Sequence, residues 1–157
     1  MLYLKYGQFN WGDKFFVMDE KGKKYQVKSS VLLWNKKLQI LDMDKNLLFT
    51  IQADPKSLLK KKFYIRFEDG REVAITREMS LIPKFEIEGL DWQMHGVMRH
   101  DYEMLKNGQQ VLSFEELGEH RYELRYPNPA DELMALAMVL TVSYAMNMGD
   151  GSSGTRH

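Results

Sequence analysis

The fold is decided by one stretch near the C-terminus, "DELMALAMVLTVSYAMNMGD" at residues 131–150. Large apolar side chains are distributed around every side of its helical projection: Leu133, Met134, Leu136, Met138, Val139, Leu140, Val142, Tyr144 and Met146. A helix that is apolar all round is either a core element or a membrane span. The apolar part, residues 133–146, covers roughly 21 Å of a hydrocarbon layer about 30 Å thick. Burial inside the protein is therefore favoured over a tail anchor.

The sequence also marks the ends of this helix. Asn128 or Asp131 can accept hydrogen bonds from the first backbone amides, and Pro129 suits the first turn. Gly149 tolerates the left-handed conformation with which many helices end. We predict a single helix between these signals.

Three segments upstream repeat one design. Each contains an apolar-alternating run, an acidic turn with glycine or asparagine, and a second alternating run. The turns centre on Gly22, Asn46 and Gly70, which are 24 positions apart. Period-two alternation is typical of half-buried strands, and glycine or asparagine tolerates the positive φ of a tight turn. The three segments are therefore predicted to be hairpins joined as a meander.

The β pattern continues less regularly toward the helix. The segments "PKFEIEG" and "LDWQMHGVM" predict two strands that meet near Gly89, and Asn107-Gly108 is the strongest hairpin signal in the chain. "HRYELRY" predicts a last strand, which Pro127 and Pro129 end. We expect about ten to twelve strands in all.

Strands and helix together predict a closed antiparallel β-barrel. An open sheet of a dozen strands leaves two unpaired edges, whereas a barrel leaves none. Interior side chains alone fill a barrel of about eight strands, so a barrel of about twelve needs an additional occupant. A helix about 10 Å in diameter suits that role. The predicted fold class is mainly β: a closed barrel of about 12 strands enclosing a single hydrophobic C-terminal helix.

Composition limits the classes of function. Lys+Arg and Asp+Glu number 22 each, so the net charge is zero and no excess of positive charge indicates nucleic acid as a partner. The chain has no cysteine, which excludes disulfides, thiolate nucleophiles and cysteine metal sites. Its first residues lack the apolar run of a secretory signal, so a cytoplasmic location is predicted. We predict one domain at residues 1–148 and a flexible tail at 149–157.

Several segments, taken in order, carry a family resemblance: "GDKFFVMDEKGKKYQVK" (residues 12–28), "KKLQILDMDKNLLFTI" (36–51), "PKFEI" (83–87), "HDYEMLKNGQQVLSF" (100–114), "RYELRY" (121–126) and the final helix. Together they resemble the LURP-one-related (YxjI-like) family. That family is similar to the tubby C-terminal domain and the phospholipid scramblases, which form one barrel class. The resemblance implies a twelve-stranded barrel around a central C-terminal helix.

What the resemblance implies about function is limited. Tubby relatives bind phosphoinositide lipids and scramblases are membrane associated, but the small bacterial members have no assigned biochemical activity. A shared fold does not transfer function.

One basic run is a candidate lipid-binding site. It consists of Lys56, Lys60, Lys61 and Lys62, with two leucines beside it. Such a cluster can meet an anionic membrane at about 1 kcal/mol per lysine. It can also be a solvated loop whose lysines guard a strand edge. These four lysines are the predicted lipid-binding residues.

A calcium site is not expected. "DMDKN" at residues 42–46 begins like an EF-hand loop, but Leu47 and Ala53 stand where that loop needs glycine and glutamate. A hairpin turn is the prediction there.

The one cluster of possible metal or acid–base residues is His95, His100, Asp101 and His120. His95 and His100 would face opposite sides of a strand unless a bulge near Gly96 intervenes. No serine lies in the context that a catalytic nucleophile requires. We therefore predict no metal, no cofactor and no catalytic residue.

The predicted function is that of a non-enzymatic interaction or anionic-lipid-responsive module, cytoplasmic or peripheral to a membrane. Its expected partner is an anionic membrane lipid or a protein, and its oligomeric state is left open. The alternative is an intracellular carrier or sensor that holds a small apolar ligand in the barrel, for which a methionine-rich helix is an adaptable lining. A hydrolase with a site near His95 and His100 is a third hypothesis.

Overall fold

The structure is a computed structural model that describes residues 1–5, 14–31, 36–54, 60–78, 84–98, 101–119 and 121–149. In these ranges the chain forms twelve strands, a 3-10 turn at Pro129–Asp131 and the helix α1 (Glu132–Gly149). The strands are β1 (Leu2–Lys5), β2 (Lys14–Asp19), β3 (Gly22–Val31), β4 (Lys36–Asp42), β5 (Leu47–Ala53), β6 (Lys60–Phe67), β7 (Glu72–Glu78), β8 (Lys84–Glu88), β9 (Gln93–Met98), β10 (Asp101–Lys106), β11 (Gln109–Gly118) and β12 (Arg121–Arg125).

All twelve strands belong to one antiparallel sheet, in the spatial order β8-β7-β6-β5-β4-β3-β2-β1-β12-β11-β10-β9. Pairing of β1 with β12 joins the first strand to the last. The sheet curls until its edge strands β8 and β9 contact each other, but no ladder of hydrogen bonds joins them in the described part of the chain. The predicted barrel is confirmed, and it is nearly rather than fully closed.

The predicted hairpins are confirmed around Gly22, Asn46 and Gly70, where β2–β3, β4–β5 and β6–β7 pair. Asn107 and Gly108 have φ of 52° and 80° between β10 and β11. Two successive positive φ values are what a two-residue type I′ turn requires, and asparagine followed by glycine is its preferred sequence.

The β4–β5 turn differs in detail from the prediction. Its positive φ falls on Lys45, at 68°, and not on Asn46. Asn46 instead donates its backbone N–H (2.9 Å) and its side-chain amide (3.1 Å) to the Asp42 carboxylate. These hydrogen bonds lower the pKa of Asp42. The carboxylate therefore organises the turn, as expected of a hairpin.

Helix α1 runs inside the barrel, as predicted. Asn128, one of the two predicted caps, accepts the Ala130 N–H at 3.0 Å and so begins the 3-10 turn. Every side chain from Ala135 to Thr141 is 0% exposed. The Thr141 hydroxyl donates to the Ala137 carbonyl at 2.7 Å, which satisfies this polar group inside an apolar core.

The barrel wall supplies the other half of the core. Strand β6 shows the pattern: Phe63 and Ile65 are fully buried, whereas Tyr64 between them is only half-buried. Phe63 packs against Tyr144 of α1 with ring centroids 5.4 Å apart and a 59° tilt. Burial raises the pKa of Tyr144 to about 12. Wall and helix thus form one continuous core.

Both ends of α1 are tied to the wall by polar groups. Glu132, in the first turn, accepts hydrogen bonds from the hydroxyls of Tyr25 and Tyr126 and lies 2.7 Å from the Lys24 ammonium. Near the other end, the buried Arg77 of β7 donates from Nη1 to the Ala145 carbonyl at 2.8 Å. A cation at a helix C-terminus also complements the helix dipole.

Candidate functional site

The predicted lysine run lies at the start of β6, where Lys60, Lys61 and Lys62 are found; Lys56 lies outside the described residues. The Lys60 ammonium is 3.8 Å from Glu78, and the Lys62 ammonium is 3.8 Å from Glu88. Two of the three described lysines are therefore compensated by carboxylates of β7 and β8.

The surface around the lysine run is balanced in charge. By strand register, the outer face of β6, β7 and β8 carries the basic residues Lys60, Lys62, Arg66 and Lys84 and the acidic residues Glu72, Glu78, Glu86 and Glu88. Arg66 and Glu72 form a further ion pair at 2.7 Å. The lysine run therefore lies on a face where basic and acidic side chains are equally numerous.

A second set of cations, which the sequence analysis missed, comes together on the outer face of β12, β1, β2 and β3. Lys5 lies directly opposite Arg121, and Lys14 lies directly opposite Lys28. All four side chains are exposed, and their strands are consecutive in the sheet. We call these four residues the cation row.

The cation row places four positive charges on one face of the sheet. None of its four members forms an ion pair with a carboxylate of the described residues. Like charges directly opposite each other destabilise a sheet. The four strands are interior to the sheet, so these cations guard no edge. A bound anionic group would relieve the repulsion.

The place where the barrel fails to close is a cleft, which we call the seam. Its volume is about 490 Å³, and its lining consists of Phe85, Glu86, Ile87, Glu88, Trp92, Gln93, Met94 and His95. Phe85, Ile87 and Met94 are only half-buried, whereas Ile51 and Ile65 on central strands are fully buried. The seam therefore gives access to apolar side chains that a closed wall would cover.

The seam also presents backbone groups. Among the described strands, β8 is paired only with β7, and β9 only with β10. Along an antiparallel pair, successive residues alternate between bonding their partner strand and pointing away from it. Part of the backbone of each seam strand therefore points into the cleft. The irregular alternation of residues 83–98 was a signal in the sequence, but it did not predict an unpaired seam.

The histidine cluster is only partly described. His95 is exposed at the seam, and the strand is irregular here: Gly96 has φ of 71°, and the β9–β10 register shifts between Asp101 and Glu103. His100 and His120 lie outside the described residues. Within the described ranges, no group of three or more His, Asp or Glu side chains is arranged to hold a metal ion.

Buried carboxylates have structural partners. Burial alone would raise the pKa of Glu132, but hydrogen bonds from Lys24, Tyr126 and Tyr25 outweigh it and lower that pKa. Burial and the bond to Glu132 raise the pKa of Tyr25. Glu123 on β12 accepts a hydrogen bond from Arg125. Each of these two carboxylates therefore has a structural partner.

The fold and its surfaces define a class: a nearly closed antiparallel barrel around its own C-terminal helix, with a row of cations and a seam on the outside. The chain belongs to the LURP-one-related family, whose model matches residues 1–143. The family predicted from the sequence is thereby confirmed. Comparison with curated proteins and with solved structures gave no match. In the described part of the chain, no helix has the length and apolarity needed to cross a membrane.

Proposed function

We propose that the protein is a non-enzymatic barrel that contacts anionic membrane lipid at its surface through the cation row. One observation carries the proposal: Lys5 opposes Arg121 and Lys14 opposes Lys28 without any carboxylate partner among the described residues. Repulsion between directly opposed cations falls when a multiply charged anionic surface lies over them. A cytoplasmic protein of this kind would be peripheral to the membrane.

The expected strength is moderate. Each lysine or arginine near an anionic surface contributes about 1 kcal/mol, so four contribute up to about 4 kcal/mol at low ionic strength. Salt screens this attraction over about 10 Å at 0.1 M ionic strength. Binding should therefore be reversible and sensitive to salt.

The lysine run is the second surface that could contact anionic lipid. Lys60, Lys61 and Lys62 add positive charge at the start of β6, but two of them lie 3.8 Å from carboxylates. That compensation makes the lysine run the weaker candidate. Vesicle binding with variants of each surface separates the two.

Lys14→Glu is the most informative variant. It replaces the opposed Lys14–Lys28 pair by an opposite-charge pair, which should stabilise the fold by about 0.2–1 kcal/mol. It should also weaken binding to phosphatidylserine-containing vesicles by roughly 30-fold, because the local charge changes by about two units. Urea denaturation and vesicle co-sedimentation measure the two effects, with phosphatidylcholine vesicles as the uncharged reference.

Lys60→Glu is the matched control, because it changes net charge equally but breaks the Lys60–Glu78 pair. It should weaken the fold only slightly, since exposed ion pairs contribute at most about 1 kcal/mol. If the cation row makes the lipid contact, Lys60→Glu should also leave vesicle binding within about twofold of the natural chain. Loss of binding in Lys60→Glu alone would assign lipid contact to the lysine run. Equal binding by all variants, or no preference for anionic vesicles, would refute the proposal.

Within the described residues, the seam is the place that supports the apolar-ligand alternative. The fully buried side chains from Ala135 to Thr141 of helix α1 fill the lumen, so the ligand would lie in the 490 Å³ cleft beside Phe85 and Ile87. That volume falls in the range of about 300–1,000 Å³ that is usual for ligand sites. A molecule that co-purifies with the protein, detected by native mass spectrometry and lost in Phe85→Glu, would favour this alternative.

A further inference from the structure

We infer that the seam binds an extended, lysine- or arginine-bearing peptide segment of a partner protein, which adds to β8 as a further strand. This function is separate from lipid contact, because it uses β8 and β9 and not the strands of the cation row.

The first support is the unpaired edge. β8 and β9 contact each other without a ladder of hydrogen bonds in the described residues, so backbone donors and acceptors of both strands face the seam. An extended peptide satisfies such groups with its own main chain, which is the basis of recognition by strand addition. An apolar small molecule could fill the cleft but would leave these groups without partners.

The second support is the alternation of side chains along β8. Phe85 and Ile87 point toward the core and are half-buried, whereas Lys84, Glu86 and Glu88 are exposed. Side chains of an added strand alternate in the same way. Its apolar residues would therefore cover Phe85 and Ile87, and its polar residues would lie beside the glutamates.

The third support is charge. Glu86 forms no ion pair within the described residues, and Glu88 has one partner, Lys62, at 3.8 Å. On the other side of the seam, Gln93 and His95 of β9 add no negative charge to compete for a cation. The outward-facing residues of a bound strand should therefore be basic and should lie toward β8.

The test uses the whole protein and synthetic peptides of about six residues, the usual length of a strand, that alternate lysine with valine. Backbone amide resonances are followed by NMR during the titration. The peptide should shift resonances of β8 and β9 and leave those of β3 and β4 in place. A peptide that shifts no seam resonance overturns the inference.

Glu86→Lys should weaken peptide binding roughly tenfold, because it places a cation where the peptide carries one. Glu20→Lys in the exposed β2–β3 turn is the matched control and should change affinity less than twofold. Equal affinity of both variants for the peptide would contradict the charge complementarity.

Main-chain pairing is tested with two further peptides. One is N-methylated at the odd residues and the other at the even residues, so each lacks the backbone N–H donors along one edge of the peptide strand. At least one should bind roughly tenfold more weakly than the parent peptide. If both bind as the parent does, strand addition is wrong. If a dodecyl amphiphile shifts the seam resonances and no peptide does, the seam is an apolar-ligand site. Neither result affects the vesicle experiment with Lys14→Glu, so the two proposals fail independently.

Discussion

At the scale of single residues, Gly89 directly follows β8 and lies against the backbone of β7. Its φ is +87°, and a Cβ placed on it would lie 2.7 Å from the backbone carbonyl oxygen of Glu72 on β7. Both the backbone conformation and the available space therefore require glycine. This residue sets how the chain leaves β8 and enters the seam.

Gly89→Ala should lower the free energy of unfolding by about 2–4 kcal/mol, since strain from the positive φ adds to the clash with Glu72. Gly108→Ala is the control, because Gly108 has φ of +80° but open space where a Cβ would lie. It should cost only about 1–2 kcal/mol, the strain alone. Urea denaturation measures both. Equal losses would show that the approach to Glu72 contributes nothing.

Glu132 predicts the pH dependence of stability. Its pKa is lowered in the folded protein by Lys24 and two tyrosine hydroxyls against the opposing effect of burial. A carboxyl whose folded pKa is depressed contributes stability above its unfolded pKa of about 4.3 and loses it as pH falls through the folded value. The contribution is therefore present at neutral pH and disappears in acid.

Glu132→Gln should be less stable than the natural chain at pH 7 by about 1–3 kcal/mol, because three charge-assisted hydrogen bonds are weakened. The difference should shrink as pH falls below about 5. Urea denaturation at a series of pH values tests this. A difference that stays constant down to pH 3 would mean that the charge of Glu132 has no stabilising role.

At the scale of elements, α1 is the occupant that allows so many strands to close around a filled interior. Its central side chains are buried on all sides, and its two ends are held by Glu132 and Arg77. Removing apolar volume from the centre of this helix leaves a cavity that neither the helix nor the wall can easily collapse to fill.

Leu136→Ala should destabilise the protein by about 2–5 kcal/mol, the usual cost of a large-to-small change in a core. Leu117→Ala on β11 is the control, because Leu117 is 47% exposed, and it should change stability by less than about 0.5 kcal/mol. Denaturant unfolding measures both variants. A small loss for Leu136→Ala would argue against a helix enclosed by the barrel.

At the scale of the whole molecule, what the sequence predicts correctly depends on local patterns. Turns at Gly22, Gly70 and Asn107-Gly108 are specified by neighbouring residues, and α1 by its own composition. The barrel then follows from the number of strands and the need to fill their interior.

What the sequence does not predict depends on register between distant strands. Lys5 and Arg121 become neighbours only because β1 pairs with β12 across nearly the whole chain. In the lysine run, cations that are neighbours in sequence are paired with carboxylates from other strands. Glu78 of β7 and Glu88 of β8 lie 3.8 Å from Lys60 and Lys62. The seam is a different case, because β8 and β9 follow each other in sequence and yet do not pair in the described residues. The irregular alternation of residues 83–98 did not predict this missing hairpin.

The barrel is open at the seam in the described residues, and α1 fills its interior. Amide hydrogen exchange tests this arrangement most directly, because exchange reports backbone hydrogen bonding and local opening strand by strand. We predict that amides of β8 and β9 exchange at least about 100-fold faster than those of β4, β5 and the middle of α1. Protection of β8 and β9 equal to that of β4 would mean a closed wall, and rapid exchange of α1 would mean a helix outside it; either result would contradict the account.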